Sequence, residues 1–219
     1  MNSYGPQGWW PVMAHRGKNP TMTGNFRGYH PGDYSYPKNS TQRFEICIGA
    51  ILTQNTAWAN VERALLNLKE SGCLSPRKVL QLDDEALKAY VRPAGYYNQK
   101  AGYVRNIAAL FVSLKGRVPD RDTLLHCKGV GEETADSILL YAYNLPEFVI
   151  DAYTRRIFSH LGLCTPGEKY TVLKELFEYN LPKEVVLYQE YHALLVEHAK
   201  RYYSKKPYGI DDPLKKLVK

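Results

Sequence analysis

The sequence predicts an all-α protein whose helices form two lobes with a cleft between them. Apolar residues recur three and four positions apart from about residue 43 to residue 202, which is the period of an amphipathic helix. No segment alternates in the way that is typical of a half-buried strand. Pro146 interrupts the helical pattern, so we expect one central lobe at 43–145 and a second lobe formed by 1–42 together with 146–219.

The first 42 residues differ from the rest of the chain. Glycine and proline recur there too often for long helices. Two interpretations of residues 16–40 stay open: a loop held on the surface by tyrosines, and a loosely held tail. The tyrosines are Tyr4, Tyr29, Tyr34 and Tyr36.

From residue 40 the chain becomes helical. Residues 44–52 are apolar nearly all round, as in a buried helix. Further helices begin at Ser75-Pro76, where proline takes the first helical position, and at Asp83, where acidic residues follow in the first turn. After Pro146 we expect three more helices, at 152–161, about 168–179 and 183–202.

Composition restricts the partners without identifying them. The chain has 219 residues, a formal charge of +7 and 12% aromatic residues. Excess lysine and arginine suggests polyanionic partners, although many solvated surfaces are basic for no such reason. The stretch from Lys200 carries seven basic residues against two aspartates, a net +5, and either grips phosphates or forms a solvated tail.

The four cysteines lie far apart in the sequence, and no Cys-x-x-Cys pair or His/Cys cluster is present, so we expect no metal site. Free thiols suit a reducing compartment. No apolar stretch approaches the ~20 residues of a membrane span, and no signal peptide is visible. We therefore expect a soluble protein inside the cell, in the cytoplasm or nucleoid, with no membrane partner.

The segment 124–141 has the pattern of a helical hairpin. Gly129-Val130-Gly131 separates two apolar helical stretches and permits a tight turn. A helix that opens at such a turn exposes backbone N–H groups, which together with the helix dipole bind phosphate, and Lys128 lies beside them. The alternative is an ordinary hairpin whose glycines only permit close packing.

Asp151 follows the apolar run Phe148-Val149-Ile150 and stands where the next helix begins. A carboxylate at that position is an N-cap, a catalytic group held by a helix N-terminus, or both.

Four motifs carry a resemblance to a known family. The hairpin followed by Val149-Ile150-Asp151 resembles the helix–hairpin–helix DNA glycosylases of the endonuclease III superfamily. Residues 49–56 and 92–101 also resemble that superfamily. The Trp9-Trp10-Pro11 motif within residues 5–11 is most similar to the branch that includes 3-methyladenine DNA glycosylase III. The likeness covers roughly 5–11 and 43–206, and residues 12–42 look like an insertion.

The resemblance implies the two-lobed helix–hairpin–helix glycosylase fold, with Asp151 as the catalytic aspartate. Superfamily members that also cleave the DNA backbone carry a Schiff-base lysine where this chain has Glu133. A glutamate cannot form a Schiff base, so the prediction is hydrolysis alone. Neither Lys100 nor Lys128 matches the family's nucleophile.

The resemblance also implies DNA contacts and a base pocket. Gln54 matches the residue that fills the hole left by a flipped base, although the sequence alone also fits a helix-terminal turn residue. The remaining predicted DNA contacts are Asn55, Lys128, Gly129, Val130, Gly131 and Thr134. The predicted pocket residues are Trp9, Trp10, Trp58, Tyr96 and Tyr97, because aromatic faces attract a cationic alkylated base. We expect at least one of Trp9 and Trp10 to pack in the core.

Many relatives carry a four-cysteine iron–sulfur loop near the C-terminus. Residues 198–207 keep the surrounding pattern, but no cysteines follow. We therefore expect no cluster and a lobe held by apolar packing alone, with Lys205 or Lys206 pointing toward the cleft. His192 and His198 are expected to be structural. The resemblance leaves room for a monovalent cation at the hairpin.

The predicted function is a monofunctional DNA glycosylase of base excision repair. It would act as a monomer on double-stranded DNA, flip a damaged base, most plausibly an alkylated purine of the 3-methyladenine type, and hydrolyse its N-glycosidic bond. The alternatives are a glycosylase for deaminated or oxidised bases, an endonuclease III-like glycosylase/lyase, and a non-enzymatic DNA-binding module that uses the hairpin only.

Overall fold

The computed structural model describes residues 4–20 and 28–218, and over these ranges the chain forms ten α-helices and no β-strand. The helices are α1 (Ser40–Leu52), α2 (Trp58–Glu70), α3 (Pro76–Gln81), α4 (Asp84–Val91), α5 (Tyr97–Ser113), α6 (Arg121–Leu125), α7 (Glu132–Ser137), α8 (Ala152–His160), α9 (Tyr170–Asn180) and α10 (Val185–Tyr202). Short 3-10 turns occupy Arg92–Ala94 and Pro213–Lys216. The predicted all-α class is confirmed. None of the described helices has both the length and the apolar character that crossing a membrane requires.

Helix α1 forms the centre of the core, as its all-round apolar pattern predicts. Ten of its 13 residues are buried, and it packs against α2, α5 and the end of the hairpin. The Asn39 side chain caps it by accepting a hydrogen bond from the Gln42 N–H. One buried apolar cluster extends from Trp10 to Tyr203 and joins this central part to α8–α10, so the lobe boundary near residue 145 stays a prediction.

The hairpin consists of α6, a tight turn, and α7, which continues as a π-helical turn at Ile138–Ala142. This π turn is buried throughout and contacts both α1 and α10. The Arg43 Nε donates to Ala142 O at 3.0 Å, and the Gln189 amide of α10 donates to Leu140 O at 3.0 Å. The hairpin is therefore fixed on both sides by hydrogen bonds to neighbouring helices.

A second link joins the hairpin to α9 through a fully buried carboxylate, Asp136. It accepts hydrogen bonds from Arg121 Nε at 2.8 Å, Lys174 Nζ at 3.0 Å and the Tyr170 hydroxyl at 2.8 Å. Lys174 also pairs with Glu147. A buried charge that loses its partner costs roughly 3–5 kcal/mol, so this cluster holds α9 in register with the hairpin.

The described part of the N-terminal segment lies against the helices. Val12, Tyr29 and His30 are buried, the Val12 N–H donates to Gly28 O, and a ring nitrogen of His30 lies 2.9 Å from Trp10 O. The held-loop interpretation is correct for these residues, while 21–27 lie outside the described ranges.

The C-terminal segment corrects one expectation. It is held by a buried polar cluster, and not by apolar packing alone. The buried carboxylate of Asp212 lies 2.9 Å from His198 Nε2, accepts the Leu214 N–H at 2.8 Å and accepts the Tyr203 hydroxyl. His198 is structural, as predicted.

Candidate active site

A cavity of about 210 Å³ opens between the hairpin, α8, α10 and the N-terminal loop. A cavity of about 150 Å³ already takes up a benzene molecule, so this one has room for a larger flat ring. Both aromatic rings and ionisable groups line it. The lining includes Trp9, Trp10, Trp58, Tyr29, Tyr153, Ser137, Glu133, Asp151, His192 and Lys200.

The three tryptophans form a connected aromatic wall. The Trp9 and Trp10 rings meet edge to face at 6.0 Å, and Trp10 meets Trp58 at 5.5 Å in the same manner. Trp10 is 6% exposed and packs on α1, where a Cβ at Gly49 would lie 3.0 Å from its Nε1. The expectation that one of the paired tryptophans packs in the core is therefore confirmed for Trp10.

The N-terminal loop that carries Trp9 is fixed to α10 by a buried carboxylate. Glu190, which is 1% exposed, accepts the Gln7 N–H at 2.8 Å and the Gly8 N–H at 3.3 Å. Gly8 has a φ of 67°, and a Cβ there would lie 2.2 Å from Pro31 N, so the close approach requires glycine. The aromatic wall thus has a defined position relative to α10.

Asp151 lies at the cavity mouth and also caps α8. One carboxylate oxygen accepts the Thr154 N–H at 2.6 Å, while the other lies 3.7 Å from His192 Nε2. Burial by itself would raise the pKa of Asp151, but the interactions with His192 and Thr154 outweigh it and place the pKa below its usual value. The side chain therefore carries a negative charge at neutral pH, beside a cavity that can hold a base.

His192 is placed differently from the expectation that it is only structural. It is 4% exposed, its Nδ1 lies 2.7 Å from the Tyr141 hydroxyl, and its ring edge faces Trp9 at 5.7 Å. Its Nε2 faces Asp151 beyond hydrogen-bond length and has no hydrogen-bond partner among the described residues. His192 is thus part of the site, and nothing in its sequence spacing indicates this.

Glu133, at the start of α7, lines the same cavity as Asp151. Its side chain keeps a solvent-exposed edge, yet the surrounding protein and the negative charge of Asp151 raise its pKa to about 7. His192 and Arg155 oppose this shift. The two carboxyl groups therefore differ in protonation near neutral pH.

The cavity opens into a groove of about 970 Å³ between the hairpin and α8. Every predicted DNA-contact residue except Lys128 lines this groove, and Lys128 is exposed on the hairpin. The groove and the cavity share Glu133 and Asp151. A DNA strand in the groove would thus present a flipped nucleotide to both carboxyl groups.

The two hairpin glycines serve different purposes. Gly129 has a φ of 103°, and a Cβ there would lie 2.2 Å from the Tyr103 ring, so this glycine is required by packing. At Gly131 a Cβ would meet nothing within 4 Å, and no side chain caps α7. Gly131 instead leaves the backbone N–H groups of the first turn accessible to an anion.

Two predicted DNA contacts have their polar groups already engaged. The Val130 N–H donates to Cys127 O at 2.9 Å, and the buried Thr134 hydroxyl accepts from the Gln54 amide at 3.1 Å. That amide also donates to Gly129 O at 2.8 Å. The Val130 N–H and the Gln54 amide group are therefore engaged within the protein and are not free donors to DNA, whereas Asn55 is exposed on the groove.

Lys100 is a structural cation. It is 2% exposed, and its Nζ donates to four acceptors at distances between 2.6 and 2.9 Å: Leu52 O, Gln54 O, Thr56 Oγ1 and Ala94 O. Burial lowers its pKa to about 8. Because its amine is fully engaged, Lys100 fixes the turn that carries Gln54 and is not placed to act as a nucleophile.

Four predicted site residues lie elsewhere. Tyr96 is 72% exposed in a left-handed turn with a φ of 45°, Tyr97 packs near the Arg92 guanidinium, and neither lines the cavity. The prediction of Tyr96 and Tyr97 as pocket residues does not fit the structure. Lys205 and Lys206 follow the end of α10 and are exposed away from the cavity lining. Lys200 of α10 lines it instead.

The cysteines do not fit an iron–sulfur cluster. Cys47 is buried in α1, and Cys73, Cys127 and Cys164 are half-buried free thiols on separate parts of the chain. Throughout 4–20 and 28–218, no group of three or more His, Cys, Asp or Glu residues is arranged to bind a metal ion. The monovalent cation at the hairpin stays a prediction.

Comparison with known proteins agrees with this architecture. Residues 48–183 match the model of the HhH-GPD superfamily base excision DNA repair proteins. A provisionally named DNA repair glycosylase of Methanocaldococcus jannaschii, MJ1434, is 42% identical over 99% of this chain and 91% of its own length. Endonuclease III of Thermotoga maritima is 31% identical over 76% of this chain and 78% of its own.

Two solved structures have the same fold. The H. pylori 3-methyladenine DNA glycosylase MagIII, bound to 1,N6-ethenoadenine, is 28% identical, with a TM-score of 0.64 over 74% of this chain and 89% of its own. A non-covalent endonuclease III–DNA complex is 25% identical, with a TM-score of 0.70 over 81% of this chain and 83% of its own. With the family match covering more than half of the sequence, the chain belongs to the HhH-GPD superfamily and is a DNA glycosylase of base excision repair.

Proposed function

We propose that this glycosylase removes an alkylated purine of the 3-methyladenine type and hydrolyses the N-glycosidic bond without cleaving the DNA backbone. The observation that carries the proposal is the pairing of a tryptophan-walled cavity with an ionised carboxylate at its mouth. The likeness to a 3-methyladenine glycosylase structure supports the substrate class.

The cavity wall suits a cationic base. The faces of Trp9 and Trp58 are electron-rich, and a cation over an aromatic face gains roughly 0.5–2 kcal/mol. An alkylated purine is positively charged and therefore a good leaving group without prior protonation. Its neutral counterpart in undamaged DNA gains neither the attraction nor the easy departure.

The Asp151 carboxylate is proposed to stabilise the positive charge that develops on the sugar. When the C1′–N bond lengthens, positive charge develops on the deoxyribose, and a fixed carboxylate beside it stabilises that charge. The Thr154 N–H holds one carboxylate oxygen in place, so the group needs little reorganisation when the charge appears.

Hydrolysis without strand cleavage is supported by the amines near the site. Glu133 cannot form a Schiff base, and Lys100 has all its donors occupied. Lys200 also lines the cavity and has interactions of its own; burial lowers its pKa, although Glu197 opposes the shift, so it is the amine that the following test addresses. Borohydride reduction during turnover tests this point, and a covalent enzyme–DNA adduct would show lyase chemistry and refute it.

The substrate is tested with duplexes that carry one lesion each: 3-methyladenine or 7-methylguanine, hypoxanthine, uracil, and 8-oxoguanine. We expect release of the methylated purines and an intact abasic strand. A second candidate, a glycosylase for deaminated or oxidised bases, is favoured by the unpaired His192 Nε2 at the cavity. Release of neutral bases with no release of methylated purines would replace the first proposal with the second.

We further propose that the enzyme acts as a monomer, and that it has no iron–sulfur cluster because the Asp212 carboxylate holds the C-terminal segment on His198 and Tyr203 without cysteine ligands. Iron analysis and light scattering of the purified protein test both statements.

A further inference from the structure

The geometry points to Glu133 as the general base that takes the proton from the hydrolytic water, while Asp151 stabilises the sugar. This division of work between two carboxyl groups rests on the proposed hydrolytic function and goes beyond it.

The position of Glu133 gives it access to both substrate and water. It lines the base cavity, the DNA groove, and a further cavity of about 390 Å³ on the other side of Asp151, beside Arg155 and Tyr170. Asp151 lies deeper, with its side chain 12% exposed and one oxygen used by Thr154. The groove and this further cavity contain Glu133 but no tryptophan, so water that enters through them reaches Glu133 without passing the tryptophans.

Hydrolysis requires water to approach the sugar from the side opposite the departing base. The base departs into the tryptophan-lined cavity, so water attacks C1′ from the other side. The water oxygen forms a bond to C1′, the C1′–N bond breaks with its electron pair on the base, and one water proton passes to the Glu133 carboxylate. A cationic purine leaves as a neutral base, the sugar gains a hydroxyl, and Glu133 later returns its proton to solvent.

The charged and titratable groups around Glu133 come from three elements besides its own. Asp151 and Arg155 belong to the start of α8, His192 and Lys200 to α10, and Tyr170 to α9. Its neighbour Glu132 pairs with Arg121 at 3.5 Å. Burial and the negative charge of Asp151 raise the pKa of Glu133 to about 7. A base works best with a pKa near the working pH, and two carboxyl groups with divergent pKa values take different roles.

The test measures single-turnover release of a methylated purine from pH 5.5 to 8.5, corrected for spontaneous depurination. For the wild-type protein we expect the rate to rise with pH and to level off above about 7. Glu133→Gln should be slower by about 10²-fold or more and should lose the rise. Glu85→Gln, the same change on an exposed residue of α4, should behave as wild type.

A second variant separates chemistry from structure. Azide attacks C1′ without losing a proton, so it should restore release by Glu133→Ala and leave an azido sugar detectable by mass spectrometry. Wild-type rates should not respond to azide. Lesion-duplex affinity should be no weaker in either Glu133 variant, and the melting temperature should be no lower than in the wild type, because a carboxyl group with a raised pKa does not stabilise the folded state.

The outcomes distinguish the inference from the function on which it rests. If Glu133→Gln keeps the wild-type rate and pH profile, or is slow but keeps the rise with pH, or if azide fails to restore release by Glu133→Ala, Glu133 is not the base. If the wild-type protein releases no methylated purine, the proposed substrate is wrong, and the same profiles on the lesion that it does release decide the role of Glu133.

Discussion

Replacing Asp151 with asparagine separates the helix cap that the structure shows from the catalytic role that we propose. Asparagine caps helices about as well as aspartate, so the hydrogen bond from the Thr154 N–H, 2.6 Å long in the native protein, can be kept. The negative charge beside His192 and at the start of α8 is lost. A charge at a helix N-terminus contributes about 0.3–1 kcal/mol, so the free energy of unfolding should fall by no more than about 1 kcal/mol.

For a chain of this length, that change lowers the melting temperature by at most about 4 °C. Asp151→Ala also removes the cap and should cost about 1 kcal/mol more. Catalysis should behave differently, because neither variant can stabilise the positive sugar. Removing one preorganised electrostatic group typically slows a reaction by about 10²–10³-fold, and both variants should lose at least that much.

The assay combines three measurements on the wild type and both variants. Thermal unfolding reports the cap, single-turnover base release reports the chemistry, and fluorescence anisotropy with a lesion duplex reports binding, which should be at least as tight as in wild type. Retention of more than a tenth of the wild-type rate by Asp151→Asn would refute the catalytic role.

Three further predictions test the surroundings of the site. Burial raises the pKa of Glu45 to about 7 from 4.5, so the folded state binds the extra proton and the free energy of unfolding falls as pH rises between these values. Glu45→Gln, which keeps an acceptor for the Met13 N–H, should remove that fall in urea titrations and stabilise by on the order of 3 kcal/mol at pH 8. Gly129→Ala should lower the melting temperature by several degrees. Gly131→Ala should change the free energy of unfolding by no more than about 0.5 kcal/mol, and it should weaken duplex binding in anisotropy titrations. Equal melting temperatures for the two variants would contradict the packing argument. Tyr170→Phe should slow base release about tenfold or more with unchanged duplex affinity, since small displacements of a catalytic group cost rate.

The reason for the last prediction is the path from the Asp136 cluster to the catalytic residue. The Tyr170 hydroxyl donates to Asp136 at 2.8 Å and accepts the Ile150 N–H at 3.3 Å. Ile150 immediately precedes Asp151, so this bridge sets the position from which the carboxylate enters the cavity. Tyr170 is a positioning residue, and a purely structural role would show as a loss of stability without a change in rate.

Local sequence signals predicted most of the fold. The period of the apolar residues places α1 and α10 nearly to their ends, and Pro76 and Asp83 mark helix starts because their effects act within one turn. Asp151 is recognisable for the same reason, since a cap and an apolar run before it are both local features.

The parts of the site that the sequence missed depend on packing between distant elements. His192 and Lys200 reach the cavity only because α10 crosses the end of the hairpin, and no spacing within α10 reports that crossing. Tyr96 was assigned to the pocket wrongly because its left-handed turn cannot be derived from the motif alone. Only the folded structure shows that Tyr96 is exposed to solvent, next to the turn that Lys100 holds in place.

The hydrogen bonds that hold the N-terminal loop on the Glu190 carboxylate have a consequence for the substrate range of this enzyme. In the proposed function, two of the rings that contact the base come from the N-terminal loop, while the proposed catalytic carboxylate stands at the start of α8, some 140 positions later in the sequence. We therefore expect substitutions ahead of Val12 to change which damaged base is released more than they change the cleavage of the N-glycosidic bond. Under this proposal, base recognition and bond cleavage belong to different segments of the chain, which are joined at the buried Glu190 carboxylate.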